Sequence, residues 1–379
     1  MADFPPTDDE VKLLFDLVNQ PSFSGEETQV SCLLTRVLNE RGWSARSDSA
    51  GNVIAEKGRS GPLLLFLGHI DTVSGWLEVK VENGELHGRG SVDAKGPLAA
   101  FVAGVARAEG TLGARSGECR GIPARIVLVG AVGEEQDSRG AKAIVSVFRP
   151  DYCVVGEPSE WEGVTLGYKG FARASLTVEF PTSHGSGRYA TATESAVSIW
   201  NSLRAKADAA GGFESLTASL ESVRTERNDL SDIATARVVF RLPPGASAEG
   251  AGLLLSEAVE LARTGTRPWP EDARVAVDVG DSTPAYVAPK NNLLVRSFLS
   301  AIREIGGVPR FKRKTGTSDM NLVAPAWNCP ILAYGPGDSS LDHTPRERLS
   351  LREYGMAIEV WRRVLGHWPA PIPGQRKSR

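Results

Sequence analysis

The fold is decided by one stretch of the sequence, Leu63-Leu64-Leu65-Phe66-Leu67-Gly68-His69-Ile70-Asp71. Its first five residues are apolar without interruption, which is typical of a strand buried on both faces of a parallel sheet. Polar side chains follow at once. His69 and Asp71 are two residues apart, so on an extended chain they point to the same face. The stretch therefore predicts an α/β fold with chemistry at the carboxyl end of a central strand.

Similar strand patterns recur along the chain, and each is followed by acidic or imidazole side chains. They cover residues 126–132, 152–155 and 330–334, and are followed by Glu134-Glu135, Glu157 and Asp342-His343. Helical patterns alternate with them. The alternation predicts a mostly parallel sheet in an α/β domain.

Two of the helical segments carry a specific expectation about where they begin or end. Ser24-x-x-Glu27 has the form of a capping box and predicts the start of a helix that ends before Gly42. Residues 99–108 form a second helical pattern. The Gly-rich, polar residues 110–123 that follow predict a loop.

The pattern changes near residue 166, where polar and apolar residues begin to alternate. Alternation of this kind is typical of an antiparallel sheet with one solvated face. Two helical segments and three strand segments follow before the buried pattern returns after residue 281. We therefore predict that residues 1–165 and 282–379 form a discontinuous catalytic domain, interrupted by an α+β domain over residues 166–281.

Composition excludes several classes of protein. The 379 residues include 43 Lys and Arg against 46 Asp and Glu, and a net charge of −3 argues against a dedicated nucleic-acid-binding protein. No apolar run approaches the length that spans a bilayer, and the acidic, polar N-terminus does not resemble a secretory signal. The four cysteines (Cys32, Cys119, Cys153, Cys329) are scattered, which favours reduced thiols in the cytoplasm.

The predicted topology brings the polar groups that follow the strands to one place. Asp93, in Gly88-Arg89-Gly90-Ser91-Val92-Asp93, precedes a predicted helix and joins them. Two His and at least five carboxylates would meet in one crevice, where the negative charges repel one another unless cations are present. Mixed imidazole and carboxylate ligands suit Zn²⁺ or a similar ion, and the number of groups suggests two ions.

Two acidic residues are left over from such a ligand set. Glu134 adjoins Glu135, and neighbouring side chains point in different directions. One can therefore bind metal while Glu134 acts as general base toward a water. Asp71 would hold the His69 ring through its other nitrogen.

The segments 68–73 and 88–95, together with the Glu134-Glu135 pair, closely resemble a family of dinuclear metallopeptidases. It includes acetylornithine deacetylase, succinyl-diaminopimelate desuccinylase and carboxypeptidase G-type enzymes, and the resemblance covers all but the C-terminal tail. It implies that His69 and Glu157 bind one metal, that Glu135 and His343 bind the other, and that Asp93 bridges them. It also implies a cis peptide bond after Asp93.

The resemblance also gives roles to the inserted domain, which in this family is a lid that forms a homodimer. His184 matches a histidine that polarises the scissile carbonyl, often across the dimer, although Arg188 stands where proline is common. Arg241 resembles an arginine that binds the substrate carboxylate.

Residues 90–100 and 314–321 are similar to one branch of the family, hydrolases that release lysine or ornithine from the amino-group carrier protein LysW in lysine and arginine biosynthesis. The amide joins the amino acid to the γ-carboxyl of the carrier's C-terminal Glu. Gly316, Thr317 and Ser318 would then hold the product's carboxylate. LysW is acidic, and four cations within five positions offer a docking surface (Arg310, Lys312, Arg313, Lys314).

Two alternatives remain open on the sequence. The first keeps the chemistry, with Zn²⁺ or Co²⁺, but takes free N-acyl amino acids, as a deacetylase or desuccinylase does. The second is a metal-binding protein without catalysis, which predicts a gap in the set of ligands or base. The sequence shows no such gap.

Overall fold

The computed structural model describes residues 3–58, 60–116, 122–184, 187–207 and 211–368, so Cys119 lies outside the described residues. Nine α-helices lie within these ranges. Their bounds are α1 Asp8–Val18, α2 Thr28–Glu40, α3 Lys95–Ser116, α4 Arg139–Ile144, α5 Ala192–Lys206, α6 Ala248–Arg263, α7 Leu293–Glu304, α8 Asp319–Trp327 and α9 Leu351–Gly366. Within the same ranges no helix is both long and apolar enough to cross a membrane.

Sixteen strands are assigned in the described ranges. Their bounds are β1 Ser44–Ser47, β2 Val53–Lys57, β3 Leu63–His69, β4 Lys80–Glu82, β5 Glu85–His87, β6 Arg125–Ala131, β7 Tyr152–Gly156, β8 Gly163–Tyr168, β9 Gly170–Pro181, β10 Thr217–Arg227, β11 Ser231–Leu242, β12 Arg274–Thr283, β13 Tyr286–Val287, β14 Arg310–Lys314, β15 Ile331–Ala333 and β16 Arg348–Ser350. The main sheet has nine strands, in the order β1-β2-β6-β3-β7-β15-β8-β13, with β14 paired to β8.

The centre of the main sheet is parallel. β3 pairs in parallel with both β6 and β7, and β7 pairs in parallel with β15. Every residue of β3 is buried, as its apolar sequence predicts. Phe66 on this strand stacks on Phe101 of α3 at 4.2 Å between ring centroids, and Trp361 of α9 packs edge-on against both rings. The predicted α/β class with a mostly parallel sheet is confirmed.

The chain divides into two compact units. Unit 1 comprises residues 1–166, 288–312 and 322–379, and unit 2 comprises residues 167–287 and 313–321. Segment 313–321, placed in the catalytic domain on the sequence, belongs to unit 2 because its backbone and side chains bond there. The Lys169 N–H donates to the Lys314 carbonyl, and Thr317 Oγ1 donates to the Lys169 carbonyl at 2.8 Å.

Unit 2 is built on a separate antiparallel sheet of four strands, in the order β10-β11-β9-β12. One face of this sheet packs its apolar residues against α5 and α6, which form a common buried core with it. The opposite face carries the polar residues of the alternating pattern. Three strands of this sheet were predicted, but the edge strand β10 was not.

Two local predictions were wrong. α2 begins at Thr28 with Glu27 as its N-cap and no side-chain capping bond, because Ser24 and Glu27 have tertiary partners instead. Ser24 donates to Asp71, and both Glu27 oxygens accept from Arg139 Nη2. α3 runs on to Ser116, so residues 110–116 are helical where a loop was predicted.

Candidate metal centre

Two of the predicted ligands come from neighbouring parallel strands of unit 1. His69 is the last residue of β3, and Glu157 follows the last residue of β7. Because Gly68 pairs with Gly156 in the ladder, the two side chains leave the sheet side by side. His69 Nε2 lies 4.0 Å from Glu157 Oε1, and both side chains are almost fully buried.

Asp93 lies between the two histidines. Its Oδ1 is 3.0 Å from His69 Nε2, and its Oδ2 is 3.1 Å from His343 Nε2. The carboxylate stands just before α3, and the Asp93–Ala94 peptide bond is cis, as the family resemblance implied. One carboxylate thus offers an oxygen to each of two imidazoles.

His343 approaches from the loop between β15 and β16. Its backbone lies in the left-handed region with φ of 60°. Its Nε2 is 2.9 Å from Glu135 Oε1, and half of its side chain is exposed. Glu135 follows β6, so this side of the centre combines a strand-end carboxylate with a loop imidazole.

The Asp71 carboxylate fixes the turn that carries Glu134 and Glu135. Its Oδ1 accepts the Glu134 N–H at 3.1 Å, and its Oδ2 accepts the Glu135 N–H at 3.2 Å. The Ser24 hydroxyl donates to the same carboxylate at 2.7 Å. His69 Nδ1 lies 2.9 Å from the Asp71 backbone carbonyl and 3.6 Å from Oδ1. The shorter of these two contacts with the His69 ring is therefore made by the backbone carbonyl of Asp71.

The electrostatics of the cluster favour a cation. Hydrogen bonds that His343 donates to the Asp93 and Glu135 carboxylates raise the pKa of His343 to about 10. Burial opposes charge on His69, but bonds to Asp71 and Asp93 outweigh it and raise the pKa of His69 well above its ordinary value. Burial also opposes charge on Asp93, yet bonds to His343 and His69 lower its pKa. The carboxylates therefore stabilise positive charge between them, and a metal ion would compete with these protons.

The spacing of the donor atoms fits divalent ions. Two ligand atoms held by one Zn²⁺ lie roughly 3.4 Å apart in tetrahedral geometry. In the described part of the chain, three groups offer one ligand atom per residue with these atoms within 4.8 Å of one another: His69, Asp93 and Glu157; His69, Glu134 and Glu135; Asp93, Glu135 and His343. The first and third match the two ligand sets that the resemblance implied, and Asp93 belongs to both.

Two residues beside the centre were missed on the sequence. Ser24 was interpreted as a helix cap, and no local pattern reveals its bond to Asp71, 47 positions away. Lys95 is almost fully buried and donates to the Gln20 carbonyl at 2.7 Å, while burial lowers its pKa to about 7. Segment 88–95 contributed only Asp93 to the site predicted from the sequence.

His184 and the predicted substrate-binding residues lie in unit 2. His184 is exposed, three residues beyond the end of β9. Arg241 of β11 donates to Thr317 Oγ1 at 3.3 Å, and burial together with the charge of Arg173 lowers the pKa of Arg241. Ser318 is buried and bonds within its own turn, and a Cβ on Gly316 would meet open space.

The four cations of β14 are mostly paired. Arg310 lies 3.6 Å from Glu162, Lys312 lies 3.0 Å from Glu160, and Arg313 lies 2.6 Å from Glu214. Lys314 Nζ stands 6.0 Å from the centre of the Tyr168 ring. The excess positive charge of this segment is therefore smaller than its sequence suggests.

Comparison with known proteins finds relatives along almost the whole chain. A [LysW]-lysine hydrolase from Deinococcus radiodurans is 42% identical over 360 residues, covering 92% of this chain and 94% of its own. A [LysW]-lysine/[LysW]-ornithine hydrolase from Saccharolobus islandicus is 27% identical over 359 residues, covering 92% and 93%. A solved dinuclear metal-binding peptidase from Bacillus subtilis shares the fold at a TM-score of 0.69 and 14% identity, covering 94% and 97%.

The family is shown by the length and position of the match. Residues 65–367 match the family described as peptidase family M20/M25/M40, a range that begins on β3 and contains every predicted metal ligand. The resemblance drawn from the sequence motifs is thereby confirmed. The chain belongs to peptidase family M20/M25/M40.

Proposed function

We propose that the chain is a metal-dependent amide hydrolase that releases lysine, and also ornithine, from the γ-carboxyl of the C-terminal Glu of LysW. One observation carries the proposal. The imidazoles and carboxylates converge on Asp93 in a chain that is 42% identical to a [LysW]-lysine hydrolase over almost its whole length. A role in amino-acid biosynthesis would place it in the cytoplasm, where the free thiols Cys32, Cys153 and Cys329 remain reduced.

The proposed centre holds two divalent ions, for which Zn²⁺ is the first choice and Co²⁺ the second. His69 and Glu157 would hold one ion, Glu135 and His343 the other, and Asp93 would contribute an oxygen to each. When bound, the ions supply Lewis acidity toward the amide carbonyl and lower the pKa of water at the site. The strand ends orient His69 and Glu157, and the Asp71 bonds orient the turn that carries Glu135.

Glu134 is the proposed general base and general acid. Its carboxylate takes a proton from the attacking water as the water oxygen bonds to the amide carbon. The same proton then passes to the leaving nitrogen as the carbon–nitrogen bond breaks. The products are the free α-amino group of lysine and the γ-carboxylate of the carrier's Glu. The Glu134 N–H donates to the Asp71 carboxylate at 3.1 Å, and this bond holds the backbone of the base in place.

Unit 2 is the proposed lid and dimerisation domain, and it would also contact the substrate. Arg241 has no carboxylate partner among the described residues and would bind the α-carboxylate of lysine, beside Thr317 and the backbone of Gly316 and Ser318. His184 would polarise the scissile carbonyl from the partner subunit. The proposal includes a homodimer formed through this unit, and its exposed apolar side chains, including Leu230 at 81% and Leu253 at 60% exposure, are candidates for that interface.

We expect the acidic carrier to dock on a cationic surface, and the chain has two such surfaces. β14 is the first, although three of its four cations already face carboxylates. The second is an arginine row on the open face of the unit 2 sheet, which we define as Arg173, Arg224, Arg237 and Arg241. None of these four makes an ion pair within the described part of the chain. Unpaired cations attract an acidic protein without first losing an internal partner.

Charge-reversal variants of each surface show which of the two binds the carrier. Arg224→Glu with Arg237→Glu should raise KM for carrier-lysine by about ten-fold and flatten its dependence on salt, because long-range attraction is lost. The matched pair Arg310→Glu with Lys312→Glu should have a smaller effect, because Glu162 and Glu160 already offset those cations. Steady-state kinetics between low and physiological salt measure both. Equal KM values for both variants and the wild type would reject cationic docking.

The substrate is tested with carrier-lysine, carrier-ornithine, acetyl-lysine and acetyl-ornithine under one set of conditions. We expect kcat/KM for the carrier conjugates to exceed that for the acetyl compounds by about 100-fold or more, since only the conjugates add carrier binding to the same chemistry. Comparable values for acetyl-lysine would favour the free N-acyl deacylase instead. Absence of turnover on all four, with metal bound, would favour the non-catalytic alternative.

A further inference from the structure

A buried ion pair lies between the two loops that carry Asp93 and His343. Arg89 Nη1 stands 2.8 Å from Glu347 Oε2, and the two side chains are 7% and 1% exposed. The pair joins residues 258 positions apart.

Glu347 holds the backbone that leads to Asp93. Its Oε1 accepts three N–H groups, from Gly90 at 2.9 Å, Val92 at 3.0 Å and Asp93 at 3.2 Å. A carboxylate that accepts several backbone N–H groups fixes the path of the loop that surrounds it. The position of the Asp93 main chain is therefore set by a side chain from the His343 loop.

Arg89 binds the backbone of the loop that carries His343. Its Nη1 donates to the carbonyl of Thr344, the residue after His343, at 3.1 Å, and its Nε donates to the Gly75 carbonyl at 3.2 Å. A guanidinium can serve these partners at once because its donors point in fixed, divergent directions. Arg89 thus ties the backbone beside His343 to Glu347 and to the Asp93 loop.

The two ligand sets depend on this pair to different degrees. His69 and Glu157 leave β3 and β7, whose backbones are bonded in register, and neither residue bonds to Arg89 or Glu347. His343 has no strand beneath it and lies in a loop with a left-handed backbone. Its distance from Asp93 therefore rests on the cross-loop bonds of Arg89 and Glu347.

We propose that Arg89 and Glu347 are positioning residues for one half of the centre, the Asp93, Glu135 and His343 set. They fix the separation of Asp93 and His343 and so the affinity of this set for its ion. The inference rests on the proposed two-metal function and adds to it a reason why the exposed loop imidazole can serve as a ligand. Groups that orient metal ligands commonly act in this way.

Metal binding by Glu347→Gln tests the proposal without recourse to activity. The amide oxygen still accepts backbone N–H groups, but the negative charge facing Arg89 is lost. Calorimetric titration of Co²⁺ into metal-free protein, with the visible spectrum of the bound ion, should resolve two sites. We expect the site that includes His343 to weaken by about 10- to 100-fold, and the site of His69 and Glu157, which shares only Asp93 with it, to weaken much less. Arg89→Lys should weaken the same site, because a lysine cannot contact Glu347 and two carbonyls at once. If the Gln variant does not fold, the Lys variant tests the positioning role alone.

Glu10→Gln is the matched control. Glu10 is another buried acid of unit 1, paired with Arg107 at 2.6 Å, and its bonds reach neither ligand loop. It should lose thermal stability and keep both metal sites. Two outcomes would overturn the positioning role and leave the proposed function standing. One is that both metal sites are unaltered in both test variants, and the other is that both sites weaken equally. A wild-type chain that binds fewer than two ions would overturn the proposed function as well.

Discussion

Glu134→Gln should lower kcat for carrier-lysine by about 10²- to 10⁴-fold, the usual contribution of a general acid–base group. The amide matches the carboxylate in shape but takes no proton from water at neutral pH. The bond from the Glu134 N–H to the Asp71 carboxylate uses only the main chain of Glu134, so the turn that carries Glu135 should survive the change. Metal content measured by mass spectrometry should remain at two ions per chain.

The neighbouring substitution gives the contrast that assigns the role. Glu135 Oε1 lies 2.9 Å from His343 Nε2, so Glu135→Gln should lose affinity for one ion as well as activity. Loss of turnover with full metal content is therefore the signature of Glu134 alone. Wild-type turnover by Glu134→Gln would reject it as the base. Loss of metal from that variant would make it a ligand instead.

The catalytic half of the fold could be predicted because its signals are local. β3 is a continuous apolar run, and its buried position in a parallel sheet follows from that run alone. Polar residues at the ends of several such strands must then meet, because parallel strands end at one edge. His69, Glu135 and Glu157 were placed by this rule, and the structure brings their donor atoms within 4.8 Å of common partners.

The rest depends on partners far away in the sequence. Ser24 and Glu27 have the spacing of a capping box, but their bonds go to Asp71 and Arg139. The partners that offset Arg310, Lys312 and Arg313 are glutamates about 100 or more positions away, so the sequence alone showed only the cations. Tertiary contacts override local pattern where both are available.

The edge strand β10 escaped prediction for a different reason. Its eleven residues, Thr217–Arg227, include only a few apolar side chains, and all eleven are exposed or half-buried. An edge strand with polar residues on both sides lacks the alternation by which strands are predicted, although such residues protect exposed edges. The positions of Arg224 on β10 and Arg237 on β11, on the same open face as Arg241, became visible only through the register of these strands.

Removal of metal should abolish turnover, and two equivalents per chain should restore it. Both proposed ligand sets share Asp93, so neither ion alone completes the centre. Protons compete for the same atoms, because Asp93 and Glu135 raise the pKa of His343 to about 10. Raising the pH toward that value removes the competing proton, so metal affinity should increase between pH 6 and pH 9. Asp93→Asn is the control, since added metal should not restore its activity.

The most direct measurement is the rate of free lysine release from carrier-lysine as Co²⁺ is titrated into chelator-treated protein. The two-ion hydrolase predicts almost no release before metal is added and a rate that stops rising at two equivalents per chain. Undiminished release by the metal-free protein, or full activity at one equivalent, would contradict it.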